Sequence, residues 1–271
     1  MTTTRPSADP ARSPRPRPDE GASSAVTSAR AVQRVEFRLF LREPGALFGI
    51  VVFPAALLTI LGLIPSFREA SEDLGGRRVV DLYVPVTVLL AMIVAGIQSM
   101  PGVLTGYRER GILRRLRTTP ARPGSLLSAQ IILHGCASAV SVALVLAIGR
   151  LAFDVALPRQ VAGYVLATLL TTFAALALGA AITAYSRTTK IAQTVGTLVF
   201  FPMMFTAGVW TPVQTMPEML RHIVEFTPFG AASQALNQAT TGSWPDWSHL
   251  GVTGLWAVLL TGAAVRWFRW E

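Results

Sequence analysis

The chain has 271 residues, 51% of them hydrophobic and 14% charged, with a mean hydropathy of +0.47 and a formal charge of +9. Soluble domains carry about 25% charged residues, so most of this chain has no water-facing surface to cover, and a soluble globular enzyme is excluded. A single cysteine, Cys136, excludes an internal disulfide and a Cys-based zinc site, and is expected to be a small buried apolar residue.

Residues 1–27 are rich in Pro, Arg, Ser and Thr, with no apolar run, and read as a disordered cytoplasmic tail rather than a signal peptide. Residues 28–43 place Arg30, Arg34, Arg38 and Arg42 on one stripe at four-residue spacing, which reads as an interfacial helix, with a solvated linker helix as the alternative. A helix needs about 20 apolar residues to cross a bilayer. Six stretches reach or approach that length, at about 44–64, 82–105, 126–149, 161–185, 191–210 and 250–265. The expected fold is an all-α membrane protein with six transmembrane helices in one domain, residues 28–271. With both termini inside, 18 of the 24 Lys and Arg residues fall on the cytoplasmic side and 6 outside, as the positive-inside rule requires. The basic residues hug span ends, so the lipid bilayer, and not nucleic acid, is their partner. Between spans five and six, the stretch 212–236 is too polar to cross and is broken at Pro228, which predicts short re-entrant helices. Trp210, Trp244 and Trp247 bracket it as interfacial anchors.

Much chemistry is missing. A phosphate-binding loop needs Gly-Lys before Ser or Thr, but the one lysine, Lys190, lies between Thr189 and Ile191. The chain is therefore expected to be no enzyme, with neither cofactor nor metal of its own. No Asp or Glu falls inside the six stretches, so a proton relay has no acid to use. His134 has Ser138 one turn away, within hydrogen-bonding reach, but no oxyanion loop accompanies them. The membrane-embedded Gln98, Gln130 and Gln193 must either hydrogen-bond between helices or line a path. Gly135, Ala139 and Ala143, and again Ala175, Gly179 and Thr183, repeat at four residues and mark close helix packing.

The loop 107–120 (YRERGILRRLRTTP) is the most informative segment. Glu109, Ile112, Leu113 and Leu116 share one helical face, and Pro120 stops the helix. An apolar ridge carrying one carboxylate suits docking into the groove of a soluble partner, and equally an ordinary solvated loop. Glu109, Arg110, Gly111, Leu113, Leu116, Thr118 and Pro120 resemble the signature that follows the second span in ATP-binding-cassette (ABC) type-2 permeases. Residues 205–217, with Trp210, Pro212 and Pro217, followed by Thr227, Pro228 and Phe229, resemble that family's outer segment. Tyr107 and Ala129-Gln130 depart from it, standing where an acid and Gly-Lys are usual. The sequence resembles drug and antibiotic exporters of the daunorubicin-resistance type.

The resemblance implies a permease subunit of an ABC exporter in a bacterial cell membrane. Two permease copies, as a homodimer or beside a similar permease, would form the path. Two copies of a separate ATPase, holding ATP and Mg, would dock on the coupling helix 107–120. The cargo would be a hydrophobic or amphipathic drug or antibiotic. A lipid or glycan export permease and a non-transporting docking or assembly subunit are the alternatives.

Overall fold

The computed structural model describes residues 32–112 and 123–267. The tail 1–27, and with it Arg30, lies outside the described residues, as do Leu113, Leu116 and Pro120. Within them the chain is almost wholly helical. Helix α1 covers 32–40 and ends in a turn at Leu41 and Arg42. Then follow α2 (Pro44–Leu63), α3 (Val79–Glu109), α4 (Pro123–Phe153) and α5 (Val161–Tyr185). After them come α6 (Thr189–Thr206), α7 (Glu218–Glu225), α8 (Pro228–Thr241) and α9 (Trp247–Trp267). The described strands are a two-residue ladder between α2 and α3, Ala70–Ser71 against Arg77–Arg78.

Five helices are long and apolar enough to cross a membrane: α2, α3, α4 from Ser125, α5 and α9. The chain is a multi-pass membrane protein. Of the six expected stretches, 191–210 is α6, an 18-residue helix that is not among those five. Its first turns carry Thr189, Lys190, Gln193 and Thr194, which dilute its apolar character. The second and third stretches are longer than their apolar cores, because α3 begins at Val79 and ends at Glu109, and α4 spans 31 residues.

Helix α3 is the axis of the bundle. Its apolar window is 89% buried, whereas the other four bury half of theirs or less and present Leu, Ile, Val and Phe side chains outward, as lipid contact requires. Cys136 is one of these outward residues and not a buried one. The core runs along α3 from Val80 to Ile97 and takes in Leu58, Val145, Ala175, Phe229 and Leu236 from its neighbours.

Two wide π turns interrupt the α geometry, at Phe48–Val52 in α2 and Val94–Ser99 in α3. Each lies just before a proline, Pro54 or Pro101. A proline has no amide for the carbonyl four residues back, here Ile50 and Ile97, and its ring crowds that carbonyl. Widening the turn relieves both. Pro85 and Pro202 sit in their helices without such a turn, so proline alone does not dictate it. The close crossing at the second wide turn adds a reason. A Cβ on Gly96 would overlap the Ala175 carbonyl of α5, one on Gly179 would overlap the Gly96 carbonyl, and one on Gly196 of α6 would stand 2.9 Å from the Ile97 oxygen.

The small-residue stripe of α5 therefore does bring helices together, with Ala175 and Thr183 fully buried. The stripe on α4 does not. Ala139 and Ala143 are exposed, because α4 turns His134, Ser138, Ser141 and Val145 inward instead. His134 and Ser138 are not hydrogen-bonded to each other. His134 Nδ1 pairs with the Gln130 carbonyl at 2.9 Å, and Ser138 Oγ finds no partner among the described residues.

The bundle has two distinct ends. At one lie α1, the end of α3 and the α5–α6 turn. At the other, Arg78 binds Asp81 through a two-pronged ion pair (2.7 and 3.1 Å) and donates to the carbonyls of Phe153 and Asp154, tying the start of α3 to the end of α4.

Candidate functional site

At the α1 end, consecutive residues of α3 hold two other helices. Arg108 donates to the carbonyl oxygens of Thr183 (3.1 Å) and Ser186 (2.6 Å), where α5 ends. Unsatisfied carbonyls and the negative pole of the helix make that end a site for a cation. Glu109 accepts the Thr189 amide on Oε1 (3.0 Å) and the Thr189 hydroxyl on Oε2 (2.7 Å), where α6 begins. A helix start offers free N–H groups and a positive pole, so a carboxylate fits there. Thr188 caps the same turn through the Ile191 amide at 3.2 Å. The end of α3 thus clasps the α5–α6 connection from both sides.

The clasp corrects the expectation of one helix from 107 to 120. Helix α3 runs through Glu109, its last amides close on Gly106 and Arg108, and Gly111 turns left-handed at φ 67°. Only glycine takes that conformation without cost. Helical structure restarts at Ile112. Glu109 therefore does not share a continuous face with Ile112 but points back to α6. Arg110, past the helix end, points toward a cleft.

That cleft, about 480 Å³, opens between α2, α3 and α6. Gly45, Gly49, Gln98, Ser99, Gly102 and Gln193 line it, and Glu43, Tyr107, Arg110 and Thr189 line its end nearest the clasp. Both wide turns border it: Gly49 belongs to the first, Val94, Gln98 and Ser99 to the second, and a Cβ on Gly49 would sit 3.1 Å from Val94. Burial raises the Glu43 carboxyl above its ordinary range, and the charge of Arg110 opposes that rise.

The three glutamines divide. Gln98 and Gln193 face the cleft. Gln130 is buried and donates to Glu36 of α1 at 2.6 Å, while the Tyr107 hydroxyl donates to the same oxygen at 2.9 Å. Burial is the main reason the Glu36 carboxyl lies above its ordinary range, and these two donors hold it partly down. Phe40 lies edge-on to His134, with ring centroids 5.3 Å apart. Glu36 and Phe40 together fasten α1 to α3 and α4.

At the other end, Trp210 is exposed and stacks on Phe201 (centroids 6.2 Å). Pro212 precedes the short turn Val213–Thr215, Pro217 precedes α7, and Pro228 opens α8 behind the Thr227 cap. The Phe226 carbonyl accepts from Trp256 Nε1 at 2.8 Å, and Thr253 donates to the Pro228 carbonyl at 3.4 Å. Among the described residues, no cluster of three or more His, Cys, Asp or Glu could hold a metal ion.

The family model for ABC-2 type transporters matches residues 27–239, which takes in α1 to α7 and most of α8, and therefore both the clasp and the cleft. The chain belongs to the ABC-2 type transporter family. It is a transmembrane permease of an ABC transporter, and permeases of this family generally work with an ABC ATPase. No curated protein matches the chain. Glu36 and Arg108 of this permease escaped the sequence reading. Their roles depend on which helices return to the end of α3, and no local motif announces that.

Proposed function

We propose that this permease is the membrane subunit of an exporter in the bacterial cell membrane, driven by a separate ATPase that docks at the loop after α3. The observation that carries the reading is the double clasp at Arg108 and Glu109. A push on the loop at 110–120 moves the end of α3, and through it the end of α5 and the start of α6. Ile112, Leu113, Leu116 and Pro120 then form the docking surface proper, with Arg110 and Gly111 as its hinge. ATP and Mg stay on the ATPase, two copies of which serve two permease copies, most simply a homodimer.

In this reading α6 is the fifth of six spans and both termini are cytoplasmic. Its two poles support that: Thr189 meets the clasp, while Ala207 joins the core that includes Phe229 and Leu236. The α7–α8 corner is re-entrant. Thr253 and Trp256, which hold it, lie two and three turns into α9, roughly 9–14 Å at 1.5 Å per residue. Trp210, Pro212, Pro217 and Pro228 shape that outer segment.

The cleft of Gln98 and Gln193 is half of the path. Among the described residues it offers neutral polar groups and glycine backbone, with charge at Glu43 and Arg110 near the clasp, which suits a hydrophobic or amphipathic drug or antibiotic. ATP-driven movement of the clasp shifts the population between inward and outward states. Export of a hydrophobic dye by vesicles holding the permease and its ATPase tests the reading. Leu113→Arg should abolish it with insertion intact. Vesicles that hydrolyse ATP but move no drug, lipid or glycan would instead favour a docking or assembly subunit.

A further inference from the structure

A second groove lies on the outward face of the bundle, away from the cleft. It holds about 610 Å³ between α1, α2 and α4, within the range of roughly 300–1,000 Å³ usual for ligand pockets. Phe37 and Phe40 of α1 roof it, Leu47 and Val51 of α2 form one wall, and α4 from Ala129 to Val140 forms the other. Along α4, Ala129, Leu133, Ala137 and Val140 succeed one another at helical spacing, and the two alanines leave a straight trough.

Polarity is confined to one end. Among the described residues, Gln33 and Arg34 are the polar side chains of the lining, and no carboxylate lines the groove. The nearest acid on α1, Glu36, is turned inward and occupied by Tyr107 and Gln130. Arg34 is exposed and has no ion pair among the described residues, and Arg38 follows one turn later, also exposed. The roof is fixed, because α1 is fastened by Glu36 and by Phe40 against His134. An apolar trough of membrane-facing side chains therefore ends in an unbalanced positive charge at the level of the interfacial helix.

We propose that this groove binds one anionic phospholipid, its headgroup on Arg34 and one acyl chain along α4. Ordinary boundary lipid packs on apolar helices without regard to headgroup charge. This site selects for it, because an anionic lipid satisfies an arginine that a zwitterionic lipid serves less well.

The chain carries its own reporter. Cys136 is its only cysteine, is exposed, and lines the groove. The full chain, labelled at Cys136 with a bimane fluorophore, is reconstituted into phosphatidylcholine vesicles. A small, equal fraction of lipid with brominated acyl chains is added, either phosphatidylglycerol or phosphatidylcholine. The expected result is several-fold stronger quenching by brominated phosphatidylglycerol. Arg34→Gln should bring the two lipids to parity, and Arg266→Gln at the far end of α9 should not. Equal quenching in the unmutated chain overturns the proposal, and so does quenching by neither lipid, which would mean that protein fills the groove. A headgroup preference that survives Arg34→Gln overturns the assignment of the headgroup to that residue.

Discussion

Glu109 stood out in the sequence, but what its side chain touches was not legible there. Its spacing with Ile112 and Leu116 is genuine helix periodicity, but Gly111 breaks the helix between them, and the carboxylate caps α6 instead. Loss of such a cap costs about 0.5–2 kcal/mol locally. Thr189→Val, which keeps the amide but removes the hydroxyl partner, should therefore leave insertion intact and lower ATP-dependent export about tenfold, within the usual range of coupling energies. Glu109→Ala should do more, and amide exchange at 189–192 should quicken in both. Export at the level of the unmutated chain would remove the clasp from the mechanism. Glu36 yields a prediction in pH. Its folded pKa is raised, chiefly by burial, so the protonated form favours the folded state. The stabilisation is fully present below the ordinary carboxylate value and is lost as pH rises through the raised one. Thermal unfolding in detergent should show the fastening of α1 weakening across that window. Glu36→Gln, neutral throughout, should flatten the dependence.

At the scale of elements, hydropathy located the helices and missed their joints. Residues 161–185 came out to the residue, because both ends of α5 coincide with a change in composition. The ends of α3 and α4 did not, since charged side chains such as Asp81, Arg108 and Glu109 continue a helix when partners receive them. Nor could spacing decide which small-residue stripe was a contact. On α5, Gly179 meets backbone; on α4, Ala139 is exposed. The difference lies in the partner helix, which a one-dimensional pattern does not contain. Gly179→Ala must push α3 and α5 apart at a backbone contact, and overpacking costs typically about 1–3 kcal/mol. A clear drop in the unfolding midpoint is the expected outcome. Gly262→Ala, where a Cβ meets nothing within 4 Å, should leave the midpoint unchanged or raise it slightly.

On the scale of the whole molecule, the family and the multi-pass architecture were readable because they rest on composition and on motifs contiguous in the chain. The cleft was half readable: Gln98 and Gln193 stood out as costly in lipid, but nothing in the sequence separated them from Gln130, which α1 claims through Glu36. Gln98→Leu with Gln193→Leu should alter which dyes are exported while leaving the unfolding midpoint close to that of the unmutated chain; loss of folding would show that these side chains hold helices and line no path. The wide turn at Val94–Ser99 has a consequence for chain length. Such a turn accommodates one extra residue while the flanking faces keep their places. Deleting one residue within 94–99 should therefore leave Arg108 and Glu109 within reach of α5 and α6, whereas deleting Leu89 should swing them by about 100°. By the same count, relatives without a proline at the position of Pro101 should be one residue shorter between those of Asp81 and Arg108. An alignment gap there would be the mark of an ordinary helical turn.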